Sequence, residues 1–112
     1  MQTIAEMPEF IRRAEKVLGS GERQALIEHL AESPKAGVLI QGTGGIRKLR
    51  WAREGSGKSS GARVIYYFHN ERRPLYLLTI FGKGEKANLT QAERNELAKL
   101  VKLLVQLSER GK

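Results

Sequence analysis

The chain has 112 residues, 40% of them hydrophobic, which is enough for one domain, 1–112, around a single core. It has no cysteine, which excludes a disulfide framework and a cysteine-rich zinc site. All twelve acidic residues are glutamate, which excludes a magnesium site built from Asp. The net charge of +8 is concentrated in the middle. Residues 35–86 hold 11 basic and 3 acidic side chains, against 4 and 6 in residues 1–34 and 5 and 3 in residues 87–112. A central basic block of this kind attracts polyanions at long range. The longest apolar run, residues 75–81, is far short of a membrane span, and no basic segment leads into an apolar run at the N-terminus. No membrane association, no secretory signal and a cytoplasmic location are therefore expected.

Residues 2–5 form a possible short strand, on the strength of Thr3 and Ile4. Pro8 suits the first turn of a helix, and Glu9 complements its positive end. Phe10, Ala14 and Val17 recur at helical spacing until Gly19-Ser20-Gly21 breaks the pattern. Ser20 is the expected cap of a second helix over residues 22–32, with Ala25, Leu26 and Leu30 on its apolar face. Ser33-Pro34 stops it.

Residues 38–40 are a very short strand candidate, followed by Gln41-Gly42-Thr43-Gly44-Gly45. This glycine run lacks the Gly-Lys-Ser/Thr ending and the following helix of a phosphate loop, so it reads as a tight turn. It delivers residues 46–52 (IRKLRWA), a strand whose alternation puts Lys48 and Arg50 on one face and Leu49 and Trp51 on the other. Residues 53–62 (REGSGKSSGA) are too polar to bury and connect a long hairpin. The next strand, residues 63–68, opens with Arg63, which brings a third cation beside the first two if the strands pair. Arg47 and Arg53, together with Lys58 near the loop tip, are candidate contacts to a nucleic-acid backbone.

Residues 69–74 form a turn, and residues 75–81 form a continuous apolar strand expected to be central and buried on both faces. The segment 82–86 places Lys83 and Lys86 just past that strand. Thr90 and Glu93 form a capping box. The helix after it carries Leu97, Leu100, Val101, Leu104 and Leu107 on one stripe, with Leu103 and Val105 outside it. His29 and His69 fall in a helix and a turn, so a histidine acid/base pair is not expected. The expected fold is α+β: a compact, mostly antiparallel sheet of three to five strands with an N-terminal helical hairpin and a C-terminal helix. All the helices are expected on one side, leaving Lys48, Arg50 and Arg63 on the other face.

The run GTGGIRKLRWA, then GKSSGARVIYYF, then LYLLTIFGKGEKANLT resembles the RelE-like toxins of bacterial toxin–antitoxin pairs, especially their HigB-type branch. The likeness spans roughly residues 34–104. It implies a RelE/ParE-like fold and a metal-independent, cofactor-free endoribonuclease that cuts messenger RNA in the ribosomal 30S A site and inhibits translation. It also implies a cognate helix-turn-helix antitoxin, through which alone the protein would reach operator DNA. By position, Lys48 and Arg50 match basic strand residues that grip or activate the scissile phosphate, and Arg63 matches an arginine that stabilises the transition state. Lys83 and Lys86 match basic positions after the last core strand, and complete the candidate catalytic set. Where RelE has a catalytic arginine in that segment this chain has Gly84, and where RelE has a functional tyrosine it has Thr90.

The chemistry fits the residues. A 2′-hydroxyl attacks its own adjacent phosphate once it is aligned, deprotonated and the developing charge is stabilised, and clustered Arg and Lys supply the stabilisation. A lysine crowded by cations has a lowered pKa and can accept the proton. Two other readings share the residues: a ParE-like toxin that poisons DNA gyrase, and a non-catalytic RNA-binding module in which Tyr66, Tyr67 and Tyr76 stack on bases.

Overall fold

A computed structural model of the protein describes residues 2–51, 61–82, 84–85 and 88–110, the last three without their side chains. Strand β1 (Ile4–Glu6) leads into helix α1 (Pro8–Val17), which turns directly into α2 (Ser20–Glu32). Strands β2 (Val38–Leu39), β3 (Ile46–Trp51), β4 (Ala62–Tyr67) and β5 (Leu75–Gly82) follow, and α3 (Gln91–Arg110) comes last. The five strands form one sheet in the order β1-β5-β4-β3-β2. Only the β1–β5 pairing is parallel. Three helices and a mostly antiparallel five-stranded sheet make this an α+β fold, as expected.

The helices do not share one side of the sheet. Phe10, Ala14 and Val17 of α1 and Leu26 and Leu30 of α2 pack against Val64, Tyr66, Leu75, Leu77 and Ile80. On the opposite face Leu97, Leu100, Val101, Leu104 and Val105 of α3 pack against Ile46, Ile65, Tyr67, Leu78 and Phe81. The sheet is thus a middle layer. The physical reason is visible in β4, where all six residues are buried. Its alternate residues are apolar in both directions after Arg63, so each face needs a cover. β5, flanked by β1 and β4, is buried in the same way.

A bulge at Leu78 keeps this two-sided packing in register. Ile65 pairs with Thr79 and Tyr66 with Leu77, which leaves Leu78 extra. Without the additional residue every side chain beyond it would switch faces. With it, Phe81 lies opposite Arg63 and joins the core under α3.

Local signals read from the sequence recur with small shifts. Gly19, rather than Ser20, occupies the N-cap of α2, and its N–H donates to the Glu22 carboxylate at 3.1 Å. The capping box of α3 forms as expected: Thr90 N–H donates to Glu93 Oε1 at 2.8 Å and Glu93 N–H donates to Thr90 Oγ1 at 3.1 Å. The glycine run is a turn between β2 and β3, with Gly42 at φ 76° and Gly44 at φ 77°, values that favour glycine. Thr43, buried at its centre, donates its hydroxyl to the Ile40 carbonyl and accepts from Ile46 N–H. Leu107, placed on the apolar stripe of α3, is 63% exposed, whereas Val105 packs against the core.

The segment before β2 is fastened by one phenol. Tyr66 is fully buried, and its hydroxyl donates to the Pro34 carbonyl and accepts from Gly37 N–H at 2.7 Å. Burial pushes this phenol above its ordinary pKa, which keeps it a donor. A Cβ on Gly37 would meet Tyr66 Cε1 at 2.8 Å and the Lys48 carbonyl oxygen at 2.9 Å, so the close approach requires glycine there. Tyr66→Phe strands both backbone groups and is expected to lower the unfolding free energy by about 1–3 kcal/mol. Urea unfolding with an unchanged m-value checks this; an unchanged midpoint would show that water replaces the phenol at no cost.

Candidate functional site

Antiparallel pairing of β3 with β4 sets Arg50 directly opposite Arg63 and Lys48 opposite Ile65. Lys48 is therefore diagonal to Arg63 on the same face. Directly opposed side chains have Cβ atoms about 4.5–5.5 Å apart and diagonal ones roughly 7–8 Å. Three cations thus share one corner of the sheet, on the side that α3 covers. The apolar part of that face, Ile46, Ile65 and Tyr67, lies under α3.

The three differ in environment. Arg50 is exposed. Arg63 is only 4% exposed, and its Nη1 donates to the Gly61 carbonyl at 3.3 Å. Among the described residues no carboxylate pairs with it. Lys48 is half-buried, and its Nζ donates to Asn88 Oδ1 at 2.8 Å, which ties β3 to the segment entering α3. Its pKa is lowered, first by loss of water and then by the positive charges of Arg50, Arg63 and Arg94. A larger share of Lys48 is consequently neutral, and able to accept a proton, than for an ordinary surface lysine.

Arg94 is the member of this group that sequence reasoning missed. It stands in the first turn of α3, where its backbone N–H donates to the Thr90 carbonyl at 3.0 Å. The available signal was its spacing: Arg94 precedes Leu97 and Val101 by three and seven residues, so it continues the stripe that packs on the sheet.

Arg47 is not brought to this cluster. The alternation of β3 turns it to the opposite face, where its Nη1 donates to the Gly37 carbonyl at 2.8 Å and braces the segment that Tyr66 also holds. Lys83, Lys86, Arg53 and Lys58 lie outside the described residues. The rings of Tyr66 and Tyr67 are buried in the two cores and present no face for a base to stack on. His29 lies 5.5 Å from Trp51, ring to ring, and the Tyr67 hydroxyl is 3.0 Å from His69 Nδ1. A separate cavity of about 510 Å³ between α1 and α3 is lined by cations and carboxylates alike, among them Arg12, Arg13, Glu93 and Glu96. Its mixed charge does not single out an anion.

Like charges directly opposite each other destabilise a sheet by up to about 1 kcal/mol. Arg50→Thr, which keeps a strand-forming residue, is therefore expected to stabilise the protein by a few tenths to about 1 kcal/mol at low salt. The gain should shrink as added salt screens the pair. Thermal or urea unfolding at two ionic strengths measures it, and a loss of stability at low salt would show that the pair is not strained.

Among the described residues, Lys48, Arg50 and Arg63 thus stand together at one corner of the sheet with no carboxylate partner, an arrangement whose charge suits an anion. Residues 13–111 match the family described as the RelE toxin of the RelE/RelB toxin–antitoxin system. That span takes in both helical layers, the whole cationic corner and all of α3, and the chain belongs to the RelE toxin family.

Proposed function

We propose that the protein is a ribosome-dependent messenger RNA endonuclease that arrests translation from the cytoplasm and is neutralised by a cognate helix-turn-helix antitoxin. Membership of a toxin–antitoxin family supports the antitoxin partner. The observation that carries the catalytic reading is the juxtaposition of Lys48, lowered in pKa, with the opposed pair Arg50 and Arg63. Operator DNA is reached only through the antitoxin.

In this reading the neutral Lys48 amine takes the proton of the 2′-hydroxyl. The 2′-oxygen then attacks the adjacent phosphorus, and the bond from phosphorus to the 5′-oxygen breaks. The products are a 2′,3′-cyclic phosphate and a 5′-hydroxyl whose oxygen has taken up a proton from solvent. The transition state carries an extra negative charge on the phosphoryl oxygens, and the Arg63 guanidinium, held almost dry, stabilises it more strongly than it would in water. Arg50, exposed, draws in the substrate backbone. No step in this sequence needs a metal ion or a cofactor. Lys83 and Lys86 are proposed as further members of the site on their positions in the sequence, and Arg47, Arg53 and Lys58 as RNA contacts.

Arg63→Ala is expected to abolish growth arrest and to reduce transcript cleavage on translating ribosomes by about 10²–10³-fold, the usual cost of removing one transition-state donor. The variant must still bind antitoxin, which shows that it is folded. Induction of DNA damage signalling with intact transcripts would instead indicate gyrase as the target, and tight RNA binding without cleavage would indicate a binding module.

The pH dependence follows from Lys48. The active form is the neutral amine, so cleavage rises with pH through the Lys48 pKa. Because that pKa is lowered, the ascending limb lies below the range of an ordinary lysine. Replacing Arg50 with Gln removes one of the charges that lower it and should move the limb to higher pH. Single-turnover rates on programmed ribosomes measure both profiles; an identical limb in the Arg50→Gln protein would remove Lys48 as the base.

A further inference from the structure

One cation of α3 is accounted for neither by its helix nor by its packing. Arg94 lies in the first turn after the Thr90 cap, where the positive end of the helix dipole disfavours a cation. It also occupies the sheet-facing stripe, in line with Leu97, Val101 and Leu104, where an apolar side chain would fit. Among the described residues its Nε, like Arg47 Nε and Arg73 Nη1, is shielded from solvent and has no hydrogen-bond partner. Among the described residues no carboxylate lies within ion-pair distance of it. A shielded donor left without an acceptor is destabilising, so packing alone gives no account of an arginine at this position.

Its neighbours indicate what the missing acceptor is. The hydrogen bond from Lys48 Nζ to Asn88 Oδ1 pins the start of α3 beside β3. The Thr90–Glu93 capping box then fixes how the helix leaves that point. Arg94 therefore lies on the α3 side of the corner that holds Lys48, Arg50 and Arg63, near enough for its charge to act on Lys48, and its Nε has no acceptor among the described residues. Four cations converge from three elements, and they call for an anion with several oxygens.

We propose that Arg94 is a phosphate-binding residue of this site, donating from α3 to a non-bridging oxygen of the scissile RNA phosphodiester while Arg50 and Arg63 hold it from the strands. This rests on the endonuclease reading above for the identity of the substrate, though the anion-binding role is measurable without cleavage. The positive charge of Arg94 is also among those that lower the Lys48 pKa, so the residue couples phosphate binding to the readiness of the base. Among the described residues the charged groups facing Lys48 are Arg50 on β3, Arg63 on β4 and Arg94 on α3, with Asn88 as its neutral acceptor.

Two arms test the proposal on the full chain. In the first, binding of a short single-stranded RNA, 2′-O-methylated so that it cannot be cut, is followed against salt concentration. Arg94→Gln should flatten the logarithmic salt slope by about 0.7, the value for one phosphate contact on a single strand. Arg72→Gln, in the exposed turn before β5, should leave the slope unchanged. In the second, Arg94→Gln should lower kcat/KM for cleavage on translating ribosomes by about 10–100-fold, the worth of one charge-assisted hydrogen bond. It should also shift the ascending pH limb upward.

Arg94→Leu separates binding from packing, because Leu completes the apolar stripe. It should melt no lower than the parent yet lose cleavage as Arg94→Gln does. Unchanged salt slope and unchanged cleavage in both variants would overturn the proposal, as would full activity of Arg94→Leu. If the parent protein itself does not cut messenger RNA, the endonuclease reading fails, while the salt slope still decides whether Arg94 binds phosphate.

Discussion

The structure depends on β4, a strand buried along both faces whose second residue is an arginine. Holding Arg63 almost out of water, opposite Arg50 and diagonal to Lys48, opposes folding. What offsets it is apolar burial on either side of the same strand. Val64 and Tyr66 go under α1 and α2, and Ile65 and Tyr67 go under α3. Full burial of one such side chain stabilises by about 1.5–3 kcal/mol, whereas an opposed like-charge pair costs at most about 1 kcal/mol. Several such side chains are buried along the strand, and together they outweigh the cationic corner.

The same constraint explains why the sheet is covered twice. A strand that is apolar in both directions cannot leave one face to solvent, so α3 must close the side on which the cations sit. That closure buries the apolar part of the face beside the candidate site. Burial and the charges of Arg50, Arg63 and Arg94 lower the Lys48 pKa, and Asn88, just before α3, accepts a hydrogen bond from the lysine. An open cationic sheet face would bind a polyanion but would leave its lysine fully protonated and its arginines screened by water. Covering the apolar part of the face while leaving Arg50 exposed combines long-range attraction with a low-dielectric centre.

The strands of the site were legible because a strand has a period of two. Alternation along residues 46–52 separates Lys48 and Arg50 from Leu49 and Trp51, and the capping box at Thr90 reads directly as the start of a helix. Arg47 shows the limit of composition: it is basic and sits in the same strand, yet alternation sends it to the opposite face to brace the segment before β2. Arg94 was missed because the helix was read for its apolar residues alone. A cation that continues such a stripe is a signal in its own right, since packing gives it no reason to be there.

By itself the sequence determined the element order, the two faces of β3, the interior, doubly buried character of the apolar β5 and the basic character of the middle of the chain. Each of these follows from local periodicity, turn chemistry and charge, which act over a few residues. The tertiary structure alone decided that helices cover both faces, that the bulge at Leu78 keeps Phe81 opposite Arg63, and that Arg50 and Arg63 are directly opposed. It alone placed Asn88 and Arg94 beside Lys48. Those outcomes depend on the register between strands distant in the chain and on which face a helix closes. Both are settled by total burial across the whole domain rather than by any single segment.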